Sequence, residues 1–94
     1  MYNEITQELS GLEHESIIRI VFSESKRDIQ KATIKPILLK ENRKWQIEKI
    51  IHNQAFHSNI GYSDLENSVL SLLSEYEFQQ INIMLKEKTI SYRV

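Results

Sequence analysis

The hydrophobic residues of this chain recur at two different spacings, and each spacing predicts one kind of element. Near the N-terminus and again after residue 63 they recur every three or four residues, which predicts helices at residues 2–13 and 64–76. Elsewhere apolar residues, many of them β-branched, alternate with polar ones. This alternation predicts five strands, at residues 16–24, 31–40, 44–52, 79–86 and 89–94.

Local signals refine the ends of these elements. Ser63 and Glu66 have the spacing of a capping box, in which each side chain satisfies a free backbone amide of the first helical turn. Asn42 and Arg43 separate the second and third strands, and asparagine tolerates the left-handed backbone of a tight turn. The polar residues that follow the third strand are expected to form a short loop before the second helix.

The order of these elements, α-β-β-β-α-β-β, predicts an α+β fold. We expect a two-layer sandwich, in which two helices pack on one face of a mostly antiparallel five-stranded sheet. Ninety-four residues are enough for one such domain, residues 1–94. The alternation of Ile90, Tyr92 and Val94 continues to the last residue, whereas domains more often end in a polar tail. The chain is therefore expected to be part of a longer protein.

The predicted hairpin of the second and third strands has two unequal faces. One carries Ile34, Pro36, Leu38, Trp45, Ile47 and Ile51 and is assigned to the core, with Trp45 as a core residue rather than a ligand platform. Pro36 cannot donate to a strand ladder, which favours an edge or a bulge there. The other face is polar except for Ile37, Leu39 and Ile50. A helix, the rest of the protein or a second copy in a homo-dimer is expected to cover it.

Composition excludes several classes of protein. The chain has no cysteine, which rules out disulfides, zinc–thiolate sites and cysteine nucleophiles and favours a cytoplasmic location. Its N-terminus lacks the pattern of a signal peptide, and no apolar run is long enough to span a membrane. The only glycines, Gly11 and Gly61, form no phosphate-binding loop. His52 and His57 are five residues apart, but no cysteine is available and the nearby candidate ligands are amides, which disfavours a metal site. No catalytic motif stands out.

Charge is unevenly distributed, although the net charge is only −1. Residues 26–49 are rich in lysine and arginine, whereas both flanking regions are acidic. Such a basic block is typical of a nucleic-acid footprint, and it is also typical of a solvated hairpin edge on which lysines prevent strand pairing. The second interpretation is favoured because the chain is not basic overall. The candidate substrate- or partner-binding residues are the cations around the hairpin turn and the polar and aromatic residues after it: Lys35, Arg43, Lys44, Gln54, Phe56, His57 and Asn59. The alternative is that Phe56 fills the core while the polar residues satisfy loop backbone.

Three segments carry a family resemblance: Ile34-Lys35-Pro36-Ile37, then Trp45-Gln46-Ile47, then residues 54–60 with the sequence QAFHSNI. Together they resemble the N-terminal region of a group of bacterial S-adenosylmethionine-dependent methyltransferases, in which such a region precedes a separate catalytic domain. The resemblance covers residues 30–62 best. It implies that this chain holds no catalytic or cofactor-binding residue, and that S-adenosylmethionine binds to a C-terminal domain of the parent protein.

The resulting expectation is a non-catalytic accessory domain that positions a substrate, such as RNA, or a partner. The net acidity of the chain departs from an ordinary RNA-binding module. Two alternatives stay open at this point. One is a stand-alone interaction module that dimerises through the second hairpin face, and the other is a small enzyme that uses His57 as a general base.

Overall fold

The computed structural model describes residues 2–28 and 31–94, without the side chain of His14. Two helices and six strands account for most of these residues. Short 3₁₀ turns at His14–Ser16 and Tyr62–Asp64 lead into β1 and α2. The elements are α1 (Tyr2–Gly11), β1 (Ile17–Ser25), β2 (Lys31–Leu39), β3 (Lys44–Ile51), β4 (Gln54–Gly61), α2 (Leu65–Tyr76), β5 (Phe78–Leu85) and β6 (Thr89–Arg93).

The strands form one antiparallel sheet in the order β4-β3-β2-β1-β5-β6. The α+β class and the two helices are therefore confirmed, and the five-stranded sheet and the order α-β-β-β-α-β-β are corrected. The additional strand is β4, where the sequence predicted a loop. His52 and Asn53 both have positive φ, 52° and 62°, and two such residues form the tight turn that matches the twist of a hairpin.

The sequence concealed β4 because the strand has no buried face. Its residues from Gln54 to Asn59 are all exposed, so no alternation of apolar and polar side chains arises. The strand is held by its backbone instead, since all eight of its residues pair in register with β3, from Lys44↔Gly61 to Ile51↔Gln54.

Both helices lie on the same face of the sheet and enclose one core. Ile5 and Leu9 of α1 and the apolar stripe of α2 are buried against the sheet. Trp45 is 1% exposed and belongs to this core, as the sequence predicted. The buried strand residues in the same cluster are Ile17, Ile20, Phe22, Ala32, Ile34, Trp45, Ile47, Phe78, Ile81 and Ile83.

Pro36 lies in an inner strand of the sheet, not at an edge. β2 has β3 on one side and β1 on the other, but β1 pairs with β2 only as far as Ile34. Pro36 is thus in a part of β2 that has a paired strand on one side alone, where the missing amide is tolerated. β1 departs because of an irregularity between Ile17 and Arg19, which buries Ile17 and exposes Ile18. A regular alternation along β1 would instead have placed Ile18 on the same side as Ile20 and Phe22.

The start of α2 also differs from the prediction. Ser63 lies within the 3₁₀ turn, and Asp64 occupies the N-cap position without a side-chain hydrogen bond to the helix, so the capping box does not form. The far end is closed by Glu77, which has φ of 50° and donates its backbone N–H to the carbonyl of Leu73.

The second face of the sheet, which we call the open face, is covered by neither helix. Its strand positions alternate with the core positions, and none of them is buried in the parts of the strands that the structure describes. Ile37 and Ile50, which the sequence expected to be covered, are 49% and 37% exposed, and Leu39 is half-buried. The open face is therefore a whole sheet surface that stays accessible to another molecule.

Candidate functional site

The three sequence segments that carry the resemblance lie on three neighbouring strands. β2, β3 and β4 pair so that Lys35 is opposite Glu48, and Glu48 is opposite His57. The next row toward the β2–β3 turn places Gln46 between Ile37 and Asn59. Residues that are 22 positions apart in the sequence, such as Lys35 and His57, thus lie in one row across the open face. The site consists of a row with charged groups and a row with two side-chain amides.

The charged row contains one direct contact. Nε2 of His57 lies 3.1 Å from Oε2 of Glu48, and both side chains are accessible to solvent. The carboxylate of Glu48 is thereby engaged on the side of β4. Glu48 is the one acidic residue of this row, and its contact with His57 draws the carboxylate toward β4.

Basic side chains dominate the remainder of the open face. Arg93 is engaged by Glu24 at 2.6 Å, but Arg19, Lys31, Lys35 and Lys44 form no ion pair with any residue that the structure describes. Lys31 and Lys35 are four residues apart on β2, about 13 Å along the strand. Lys44 pairs with Leu39, four residues further along the same line. The three lysines therefore form a regularly spaced basic stripe across the middle of the face.

The helical layer has the opposite charge. The segments that contain its helices, residues 2–16 and 62–77, hold no lysine or arginine, so all 12 basic residues of the chain lie elsewhere. The acidic residues of these two segments are Glu4, Glu8, Glu13, Glu15, Asp64, Glu66, Glu75 and Glu77. The near-zero net charge thus conceals a molecule with one acidic layer and one basic face. An anionic ligand is attracted to the open face and repelled by the helices.

The predicted binding residues divide between the two faces of the sheet. Lys35, Lys44, His57 and Asn59 are on the open face, where the pairing of the strands brings them together. Gln54 and Phe56 are on the helix side, because they pair with Ile51 and Lys49, whose side chains point toward the helical layer. Phe56 is 49% exposed, so it does not fill the core.

Arg43 is held away from the open face by an aromatic stack. Its guanidinium carbon lies 4.4 Å from the centroid of the Tyr62 ring, and that ring stacks on Trp45 with 6.0 Å between centroids. Nε1 of Trp45 donates a 3.0 Å hydrogen bond to the carbonyl of Tyr62. Because Trp45 points into the core, Arg43 belongs to the helix-side end of the hairpin. Its role is to cap the core rather than to extend the basic stripe.

Arg19 and Lys31 are the binding candidates that the sequence prediction missed. Both are exposed and share the open face with Lys35. Lys31 and Lys35 are an even number of residues apart on one predicted strand, so they share a face. This signal could have identified Lys31 from the sequence. Arg19 could not have been placed in this way, because the irregularity after Ile17 shifts the alternation of β1.

The described residues contain no group of three His, Asp or Glu side chains that could hold a metal ion. Within the same ranges, neither helix is long and apolar enough to cross a membrane. Comparisons of the chain with protein-family models, curated proteins and solved structures yield no match.

Proposed function

We propose that this chain is a non-catalytic accessory domain of an S-adenosylmethionine-dependent methyltransferase, and that it positions an RNA substrate on the open face of its sheet. The observation that carries the binding role is the uncovered basic stripe of Lys31, Lys35 and Lys44. The methyltransferase context rests on the resemblance of residues 30–62 and places the cofactor and the catalytic groups in a C-terminal domain, outside this chain.

The chemistry of the face favours a phosphate backbone as the ligand. The three lysines form no ion pair with the described residues, so they are available to neutralise phosphates, and each phosphate neutralised releases a counterion that was condensed on the nucleic acid. Gln46 and Asn59 supply amide donors and acceptors beside the stripe, which suits the 2′-hydroxyls and base edges of RNA. The open face carries no phenylalanine, tyrosine or tryptophan at its described strand positions. Binding through charge, with little base stacking, is therefore the mode that this surface supports.

The experiment is a titration of fluorescently labelled RNA, single-stranded and hairpin, at several salt concentrations. The test variant replaces Lys31, Lys35 and Lys44 by alanine. The control replaces Lys26, Lys86 and Lys88, which removes the same charge from loops outside the strands. We expect the test variant to bind weakly, with a salt slope reduced by about 2 for single-stranded RNA. The control is expected to bind almost as the unmodified chain does.

Two results would contradict the proposal. The first is that the unmodified chain binds neither RNA at low salt. The second is that test and control variants lose the same affinity, since binding would then depend on net charge and not on the open face. If an acidic protein is retained by the chain and RNA is not, the basic stripe has a protein partner instead.

A further inference from the structure

The edge strand β4 has none of the features that ordinarily prevent edge strands from pairing. It is eight residues long and regular throughout, with no shift in its register against β3. It contains no Lys, Arg, Asp, Glu or Pro. Natural sheets usually protect such an edge with charged side chains, proline, a bulge or a covering element. Here the backbone groups on the outer side of β4 make no hydrogen bond to any described residue.

The opposite edge strand of the sheet, β6, is protected against pairing with another strand. β6 has only five residues, and the side chains of its last two residues are engaged. Tyr92 donates a hydrogen bond to Glu8 of α1. Arg93 forms a salt bridge with Glu24 and donates a hydrogen bond to Gln80. The two edges of one sheet are thus treated differently, and only β4 presents a long, uncharged ladder to solvent.

A groove on the helix side of β4 adds a second observation. The sheet extends beyond α2, and a hollow runs between the helix and the strands, lined by Lys49, Ile51, Ile60 and α2 residues that include Ser68 and Leu72. Phe56 lies on the same side, opposite Lys49 in the register, and is 49% exposed. A neighbouring strand with its own side chains on this side would cover Phe56 and close one wall of the hollow.

From these features we infer that β4 pairs antiparallel with β4 of a second copy of this chain. A two-fold axis perpendicular to the sheet makes an antiparallel strand its own complement, so both copies use the same groups. The absence of charge on β4 favours this occupant, since two copies meet without repulsion, whereas a charged strand would repel itself. The pairing produces one continuous twelve-stranded sheet with both helical layers on one side and both open faces on the other.

This dimer does not depend on RNA binding, but it has a consequence for it. The two basic stripes would lie on the same side of the continuous sheet, separated by the β4 strands, whose open-face residues are Ala55, His57 and Asn59. A dimer therefore offers an anion a longer basic surface than one copy does.

The test compares one serine on each edge strand. Ser58 of β4 and Ser91 of β6 are both exposed, and each is replaced by lysine. Sedimentation equilibrium of the unmodified chain is expected to show a dimer. S58K is expected to shift the equilibrium to monomer, because two like charges approach across the two-fold axis. S91K is expected to remain a dimer, since it changes the other edge by the same charge.

Circular dichroism of S58K shows whether the monomer is folded. A double variant tests whether the chain dimerises through the open face instead of through β4. Ile37→Thr with Ile50→Thr removes the apolar side chains of the open face and is expected to leave the dimer intact. The inference is overturned if the unmodified chain is a monomer at all concentrations reached, if S58K remains a dimer, or if the Ile37/Ile50 variant alone dissociates it. RNA binding of S58K, measured in parallel, is expected to persist with lower affinity.

Discussion

The hydroxyl of Tyr92 on β6 donates a 2.7 Å hydrogen bond to Oε1 of Glu8 on α1. This contact connects the last strand to the first helix across 84 positions of sequence. The bond to the carboxylate, with burial and the negative charges of Glu8 and Glu4, raises the pKa of Tyr92 to about 12. α1 is thereby fixed to the edge of the sheet by a protonated phenol.

The first prediction follows from the sign of this shift. Because the folded pKa lies above the usual tyrosine value of 10.0, the contribution of Tyr92 to stability is fully present below pH 10 and is lost as the pH rises toward 12. We expect Tyr92→Phe to be less stable by about 0.5–1 kcal/mol at neutral pH, a small effect since the group is partly solvated. Between pH 10 and 12 the difference from the unmodified chain should shrink in denaturant titrations.

Glu8→Gln is the control for this prediction. It retains an acceptor at the same position but removes the charge, so the tyrosinate absorbance of Tyr92 should appear at lower pH than in the unmodified chain. If Tyr92 of the unmodified chain ionises with the same midpoint in the folded and the unfolded protein, the hydrogen bond does not hold in solution.

The second prediction concerns two phenylalanines with opposite environments. Phe56 is 49% exposed, whereas Phe22 is fully buried and packs on Phe78 with 5.6 Å between ring centroids. At protein concentrations low enough to keep the chain monomeric, Phe56→Ala should change the free energy of unfolding by less than about 0.5 kcal/mol. Phe22→Ala should cost about 3–5 kcal/mol. A large loss with Phe56→Ala would mean that Phe56 packs into the core, as one interpretation of the sequence had it.

How far the sequence predicts this fold depends on whether a face is buried. Wherever one side of an element contacts the core, the spacing of apolar residues located it correctly, as for Trp45 and Ile47 on β3. β4 was missed because its stability comes from backbone pairing with β3, which leaves no periodic signal. The two faces of the Gln54–Asn59 segment were likewise undetectable, because the segment was predicted to be a loop. Only in a strand do successive side chains point to opposite faces. The basic block was visible, but the register of β2 against β3 is what aligns Lys44 with Lys31 and Lys35.

The third prediction tests the stack at the hairpin turn. The stack runs from solvent to core in the order Arg43, Tyr62, Trp45. Arg43 covers the outer face of the Tyr62 ring. Arg43→Ala should lower stability by about 0.5–1 kcal/mol, the value of an exposed cation–π contact. Since Trp45 is the single tryptophan of the chain, its fluorescence follows unfolding directly.

Arg43→Ala should leave RNA binding almost unchanged, in contrast to Lys35→Ala and Lys44→Ala, because Arg43 is not on the open face. If Arg43→Ala weakens RNA binding as much as Lys44→Ala does, the RNA path includes the turn.

The last prediction is that this 94-residue chain does not bind S-adenosylmethionine. Nucleotide-like cofactors are usually held where a parallel strand leads through a glycine-rich turn into a helix. Every strand pair that the structure describes is antiparallel. Gly61, the one glycine before a helical turn in the second half of the chain, lies at the end of a strand that is antiparallel to its neighbour.

Isothermal titration calorimetry of the chain with S-adenosylmethionine should therefore show no binding up to millimolar concentrations. The same protein sample, titrated with RNA, provides the control for a folded and active preparation. Micromolar affinity for the cofactor would place the cofactor site within these residues. It would also overturn the assignment as an accessory domain, because a domain that held the cofactor itself would take part in the reaction and not only position its substrate.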